Sequence, residues 1–150
     1  MKYLLDASAL LPLVTKRGKQ LIMDASRENL VTADLALYEA CNSLWKLTTL
    51  LKIITLEDAV DTATMLKDLA TRNVIQPINF TELDFSDTLS RASKEKLTFY
   101  DASYVATAER TETTLVTEDE KLSKAASKFV KAITYSELEN TLINHWKNRS

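Results

Sequence analysis

Three aspartates, Asp6, Asp101 and Asp119, stand at places in the sequence where carboxylates do chemistry. Asp6 closes the short apolar run "KYLLD", Asp119 follows two residues after the β-branched run "TTLVT", and Asp101 opens the helical stretch "YDASYVATA". Each is an ordinary helix-start residue when taken alone. Placed together at one end of a sheet, however, they would repel by several kcal/mol at close range. Protonating one of them relieves that repulsion, and so does a hard divalent cation held by carboxylates and nearby hydroxyls, for which Ser8, Ser103 and Thr117 are candidates. Such a cation, magnesium or manganese, acidifies water and neutralises charge on phosphorus, which points to phosphoryl transfer or phosphodiester hydrolysis.

The elements that must position these acids alternate along the chain. Strands are expected at "KYLLD", "LVTAD", "NVIQPIN", "TTLVT" and "VKAITY", with Pro77 placing the third at an edge or near its end. Between them, "GKQLIMDASREN" has Leu21, Ile22 and Ala25 at helical spacing and closes on Asn29. Leu37, Ala40, Cys41, Leu44, Leu47 and Leu51 predict a long amphipathic helix over 35–51. Thr55 with Asp58, and Ser136 with Glu139, read as capping boxes opening two further helices. Residues 83–96, 101–110 and 118–128 complete the helical set. The alternation predicts an α/β fold, a three-layer α/β/α sandwich around a mainly parallel sheet of four or five short strands. In open sheets of that kind ligands bind beyond the carboxyl ends of the strands, where Asp6, Asp101 and Asp119 fall.

Composition removes the competing chemistries. The 150 residues, with one Gly and two Pro, predict one domain over 1–150 without a flexible linker. Gly18 is the sole glycine, so no Gly-rich phosphate loop exists. One histidine, His145, and one cysteine, Cys41, exclude the usual zinc site, a Ser-His-Asp triad and an internal disulfide. No 18-residue apolar run or secretory leader is present, so a cytoplasmic protein without a membrane segment is expected. A net charge of −2 confines any nucleic-acid contact to local patches. Lys121, Lys124 and Lys128 recur at one helical face beside Asp119, and Lys16, Arg17 and Lys19 cluster after the first strand, so both groups are candidate phosphate contacts. Cys41 is expected as an inert core thiol, and Tyr38, Trp45 and Trp146 as core or dimer-contact aromatics.

"YLLDASAL" at 3–10, "YEACNSLW" at 38–45, "YDASYVATA" at 100–108 and "LVTEDEKL" at 115–122 resemble, in order, the four motif blocks of PIN-domain ribonucleases. They are most similar to the small single-domain VapC-type toxins. The resemblance implies that Asp6, Glu39, Asp101 and Asp119 are the catalytic, metal-binding acids, with Ser8 and Thr117 as supporting hydroxyls. It further implies a magnesium or manganese cofactor, an RNA substrate, a small antitoxin partner with a basic side chain directed at the acids, and a homodimer formed through residues 35–71. Glu39 enters only through this resemblance, because periodicity places it about 140° from the centre of the apolar stripe. Two alternatives remain at this point: a non-catalytic RNA- or protein-binding relative, and an aspartate-nucleophile phosphatase. The latter requires an Asp two residues after Asp6, where Ser8 stands.

Overall fold

The computed structural model describes residues 2–24 and 29–149. Five strands, β1 (Tyr3–Leu5), β2 (Leu30–Ala33), β3 (Ile75–Ile78), β4 (Thr114–Val116) and β5 (Ala132–Ile133), form one parallel sheet in the order β3-β2-β1-β4-β5. Every residue of β1, β2 and β4 is buried, as expected for central parallel strands covered on both faces. Pro77 lies in edge strand β3 at the register of Thr32, where its missing N–H disturbs the ladder least.

Among the described residues seven α-helices flank the sheet: α1 (Ala7–Met23), α2 (Asp34–Trp45), α3 (Leu56–Thr71), α4 (Phe85–Glu95), α5 (Phe99–Thr111), α6 (Glu120–Ala126) and α7 (Tyr135–Arg149). Right-handed crossovers from β1 outward to β3 place α1–α3 on one face. The return to β4 and the step to β5 place α4–α6 on the other. Accordingly, α1 packs on α2, α3 and α7, while α4 packs on α5. The result is the expected three-layer sandwich, with Leu4, Leu5, Leu10, Leu13, Leu115 and Leu138 at the centre of its core.

Several expectations need correction. The first helix begins at Ala7, well before residue 18, and Ala25 lies outside the described residues. Pro12 and Gly18 disguise its start, since both are poor helix formers. Gly18 is there for space: a Cβ would approach the Met65 side chain of α3 to 2.8 Å. The helix of 35–51 remains α-helical only to Trp45, and a single π turn, Lys46–Leu50, follows. That turn shifts the periodicity, leaving Leu50 and Leu51 exposed. Cys41 is exposed as well, so it is not a core thiol. Tyr38 and Trp45 are also exposed, whereas Trp146 packs at the core margin. Thr55 caps α3 through the Asp58 amide as expected. α7, however, is opened by Thr134, which accepts from the Glu137 amide, so Ser136 lies inside the helix. No described helix is long and apolar enough to cross a membrane.

Candidate acidic site at the sheet switch point

Adjacent strands β1 and β4 send their chains to opposite faces of the sheet, which opens a crevice between their carboxyl ends. Asp6 follows β1 and is the N-cap of α1. Its Oδ1 accepts from Ser8 Oγ at 2.6 Å and from the Ala9 amide at 3.1 Å, and its Oδ2 accepts from Thr117 Oγ1 at 2.5 Å. Both hydroxyls are themselves oriented by the β4–α6 turn. The Glu118 amide donates to Ser8 Oγ at 2.9 Å, and the Asp119 amide donates to Thr117 Oγ1 at 3.0 Å. Two backbone N–H groups are thus relayed, one to each oxygen of one carboxylate. Burial nevertheless raises the pKa of Asp6, outweighing these hydrogen bonds.

Asp119 is the N-cap of α6, its Oδ1 accepting from the Leu122 amide at 3.1 Å. Asp101 differs. The cap of α5 is Thr98, whose hydroxyl accepts from the Asp101 amide at 3.0 Å. Among the described residues the Asp101 carboxylate has no hydrogen-bond donor and no ion pair. Burial raises its pKa first, followed by repulsion from Asp119, Glu39 and Asp6, against a smaller opposing effect of Lys121. Glu39 accepts at Oε1 from the Tyr104 hydroxyl at 2.5 Å. Tyr104 is buried, and desolvation together with the Glu39 carboxylate holds its pKa far above the ordinary phenol value, so it remains a donor.

All four acids line one cavity of about 510 Å³, together with Asn42, Ser43 and Lys46. Glu39, Asn42 and Ser43 on α2 and Lys46 at the start of the π turn are spaced i, i+3, i+4 and i+7, so this polar edge forms one wall. That edge explains why Glu39 sits off the apolar stripe: it faces the crevice. Tyr104 was legible as the residue one helical turn after Asp101, and Lys46 as the end of the polar stripe. Composition and periodicity single out neither.

Other expected contributors lie elsewhere. Ser103 Oγ donates to the Tyr100 carbonyl within its own helix. Lys128 falls beyond the end of α6 and pairs with Glu95 at 2.8 Å. Arg17 pairs with Glu139 at 3.1 Å, and Lys16 lies 5.3 Å from the Tyr135 ring centroid. Lys19 and Lys124 are exposed, and Lys121 bears electrostatically on Asp101. Among the described residues Lys46 is the only cationic side chain that lines the cavity.

Among the described residues no three His, Cys, Asp or Glu side chains converge tightly enough as placed to hold a metal ion. The donor chemistry still fits a hard divalent cation. The cavity offers only oxygen donors from its acids, and the repulsion on Asp101 is the kind that a cation relieves.

The PIN domain family model matches residues 3–128. Exonuclease VapC9 of Pyrobaculum aerophilum is 37% identical over 123 residues, covering 81% of this chain and 84% of the relative. Ribonuclease VapC3 of the same organism is 34% identical over 138 residues, covering 89% and 99%. The crystal structure of PAE2754 from Pyrobaculum aerophilum superimposes with a TM-score of 0.72 at 32% identity, over 96% of this chain and 98% of that one. With matching motifs, a doubly wound parallel sheet and acids at its switch point, the chain belongs to the PIN domain family.

Proposed function

We propose that the chain is a metal-dependent endoribonuclease that hydrolyses RNA phosphodiester bonds at Asp6, Glu39, Asp101 and Asp119. The observation that carries this reading is the partnerless Asp101 carboxylate, held in one cavity with three other acids, its pKa raised first by burial and then by their charges. Asp6, Asp101, Asp119 and Glu39 would hold magnesium or manganese, which when bound supplies Lewis-acid polarisation of phosphate and a more acidic water.

The chain's own residues prepare that site. Ser8 and Thr117 fix the rotamer of Asp6, Tyr104 aims Glu39, and Lys46 with Asn42 and Ser43 offers contacts to the phosphodiester backbone. Because Asp6 already accepts three hydrogen bonds, it is poorly suited to attack phosphorus, which counts against an aspartate-nucleophile phosphatase. The similarity to proteins named VapC supports the toxin of a type II toxin–antitoxin pair acting in the cytoplasm. The cognate antitoxin would direct an Arg or Lys at the acids. The exposed Trp45, Leu50, Leu51, Ile53, Leu56 and Val60 on the α2–α3 side support a homodimer through that region.

One relative is named an exonuclease and the other a ribonuclease, so the mode of cleavage is tested directly. Purified protein is incubated with a circular and a linear RNA, with chelator and then with magnesium or manganese restored. Metal-restored opening of the circle, absent in Asp101→Asn, is the expected result. Cleavage of the linear RNA alone would replace endonuclease by exonuclease, and cleavage in chelator would overturn the metal centre.

A further inference from the structure

Beside the acidic cavity lies a second one of about 270 Å³, between α2, α5 and the short turn Phe80–Glu82. Leu35, Tyr38 and Tyr100 line both, so the two cavities adjoin. Their lining changes character abruptly across those residues. The second cavity is rimmed by Phe80, Phe85, Phe99 and Tyr100, and Phe80, Phe85, Tyr100 and Tyr38 are each more than half exposed, at 58%, 53%, 59% and 80%. Four solvent-facing aromatic rings around one hollow are a costly surface to maintain without an occupant.

The rim is built. Asp34 clamps it with both carboxylate oxygens, Oδ1 accepting from the Leu35 amide at 2.8 Å and Oδ2 from the Phe80 amide at 3.0 Å. Phe85 meets Phe99 edge to face at 5.6 Å between centroids and Phe80 at 6.3 Å.

We propose that this aromatic hollow is a nucleobase subsite, which takes an unpaired base of the nucleotide next to the phosphate presented to the acids. The inference rests on the ribonuclease reading and adds to it how the substrate is gripped. An uncharged flat ring suits a hollow beside repelling carboxylates, where a phosphate or an acidic side chain would not. Stacking on aromatic side chains is how proteins hold unstacked bases. The subsite therefore requires single-stranded RNA, because a paired base cannot turn out of its stack, and it grips any base without reading its edge.

The test uses the full chain and a short single-stranded RNA in chelator, so that binding is read by fluorescence anisotropy without turnover. Tyr100→Leu and Phe85→Leu keep apolar bulk but remove the ring, and Tyr100→Phe keeps the ring. Each leucine variant is expected to weaken binding about ten-fold, with Tyr100→Phe binding as wild type. Wild type should lose a similar factor on RNA carrying one abasic nucleotide beside the cut position, and the leucine variants should lose nothing further on that RNA. The corresponding duplex should bind weakly to all of them. Leucine variants that bind as wild type, or that weaken intact and abasic RNA equally, would overturn the subsite and leave the hollow to a protein segment. If wild type binds RNA with this pattern but never cleaves it, the ribonuclease reading fails and the subsite stands. If it cleaves without this pattern, only the subsite fails. Absence of RNA binding in chelator overturns the subsite, and absence of cleavage with metal restored overturns the ribonuclease reading.

Discussion

Helix α1 carries a polar cluster at its N-terminus and another near its middle, and the two are built on opposite plans. Around Arg17, Glu139 accepts from the guanidinium at 3.1 Å and from the Tyr135 hydroxyl at 2.6 Å, while Lys16 covers the Tyr135 ring. Opposite charges meet there, and the pKa of Glu139 is lowered, first by the tyrosine hydroxyl and then by Arg17. Around Asp6 four carboxylates share a cavity, and the one without hydrogen bonds, Asp101, has its pKa raised. A cluster that neutralises itself ties α7 to α1. On the proposed function, a cluster that leaves its charge unanswered is organised for a ligand that is not part of the chain.

The contrast is broken most severely at Asp101. Asp101→Asn is expected to lower kcat on RNA at least about 100-fold, a loss typical of removing one electrostatic stabiliser of the transition state. Glu139→Gln, in the self-neutralised cluster, should leave kcat within error. Next comes Tyr104→Phe, which removes only the hydroxyl that aims Glu39. Positioning groups of this kind typically contribute about 10- to 100-fold in metal affinity or activity. The manganese concentration that half-saturates the protein, read by titration without RNA, should rise accordingly. The smallest effect is on the structural side. Glu139→Gln should cost up to about 1 kcal/mol, because a partly exposed ion pair contributes little, and lower Tm by about 2–4 °C.

The two clusters change stability with pH in opposite directions. Glu139 has a lowered folded pKa, so its stabilising contribution is present above its unfolded pKa and is lost as pH falls through the lowered folded value. Asp101 has a raised folded pKa, so its destabilising contribution sets in as pH rises from the unfolded value through the raised one. Acidification should therefore narrow the Tm difference between wild type and Asp101→Asn, and also that between wild type and Glu139→Gln. In the first case the wild type is relieved of strain, and in the second it loses its advantage.

Much of this organisation was readable in the sequence. Short apolar strands separated by periodic helices gave the parallel sheet, and strand ends gave Asp6 and Asp119. The start of α1 was hidden because Pro12 and Gly18 argue against a helix, and only the approach of Met65 explains the glycine. The exposure of Leu50 and Leu51 was hidden because the π turn at Lys46–Leu50 breaks the 3.6-residue period. The helix of the lysine stripe is shorter than its spacing suggests: α6 ends at Ala126, before Lys128. Tyr104 bonds Glu39 across 65 positions, and local periodicity carries no trace of such a partner.

On the proposed function, Asp101 is held where it is for a cation and not for the fold. Since Thr98 provides the cap, Asp101→Asn loses no capping, and its melting temperature reads the electrostatics directly. Carboxylates about 5 Å apart repel by about 1–3 kcal/mol at an effective dielectric of about 20–60, and solvent screening at this half-buried position reduces that toward about 1 kcal/mol. The decisive measurement is thermal melting of wild type and Asp101→Asn at pH 7, each in chelator and in magnesium or manganese. In chelator the variant should melt about 2–4 °C above wild type. Saturating metal at about 100 times Kd should stabilise wild type by about 2.7 kcal/mol and the variant far less. Equal metal responses in the two proteins, with no gain in the chelated variant, would contradict the claim and leave Asp101 as an acid at a helix N-terminus.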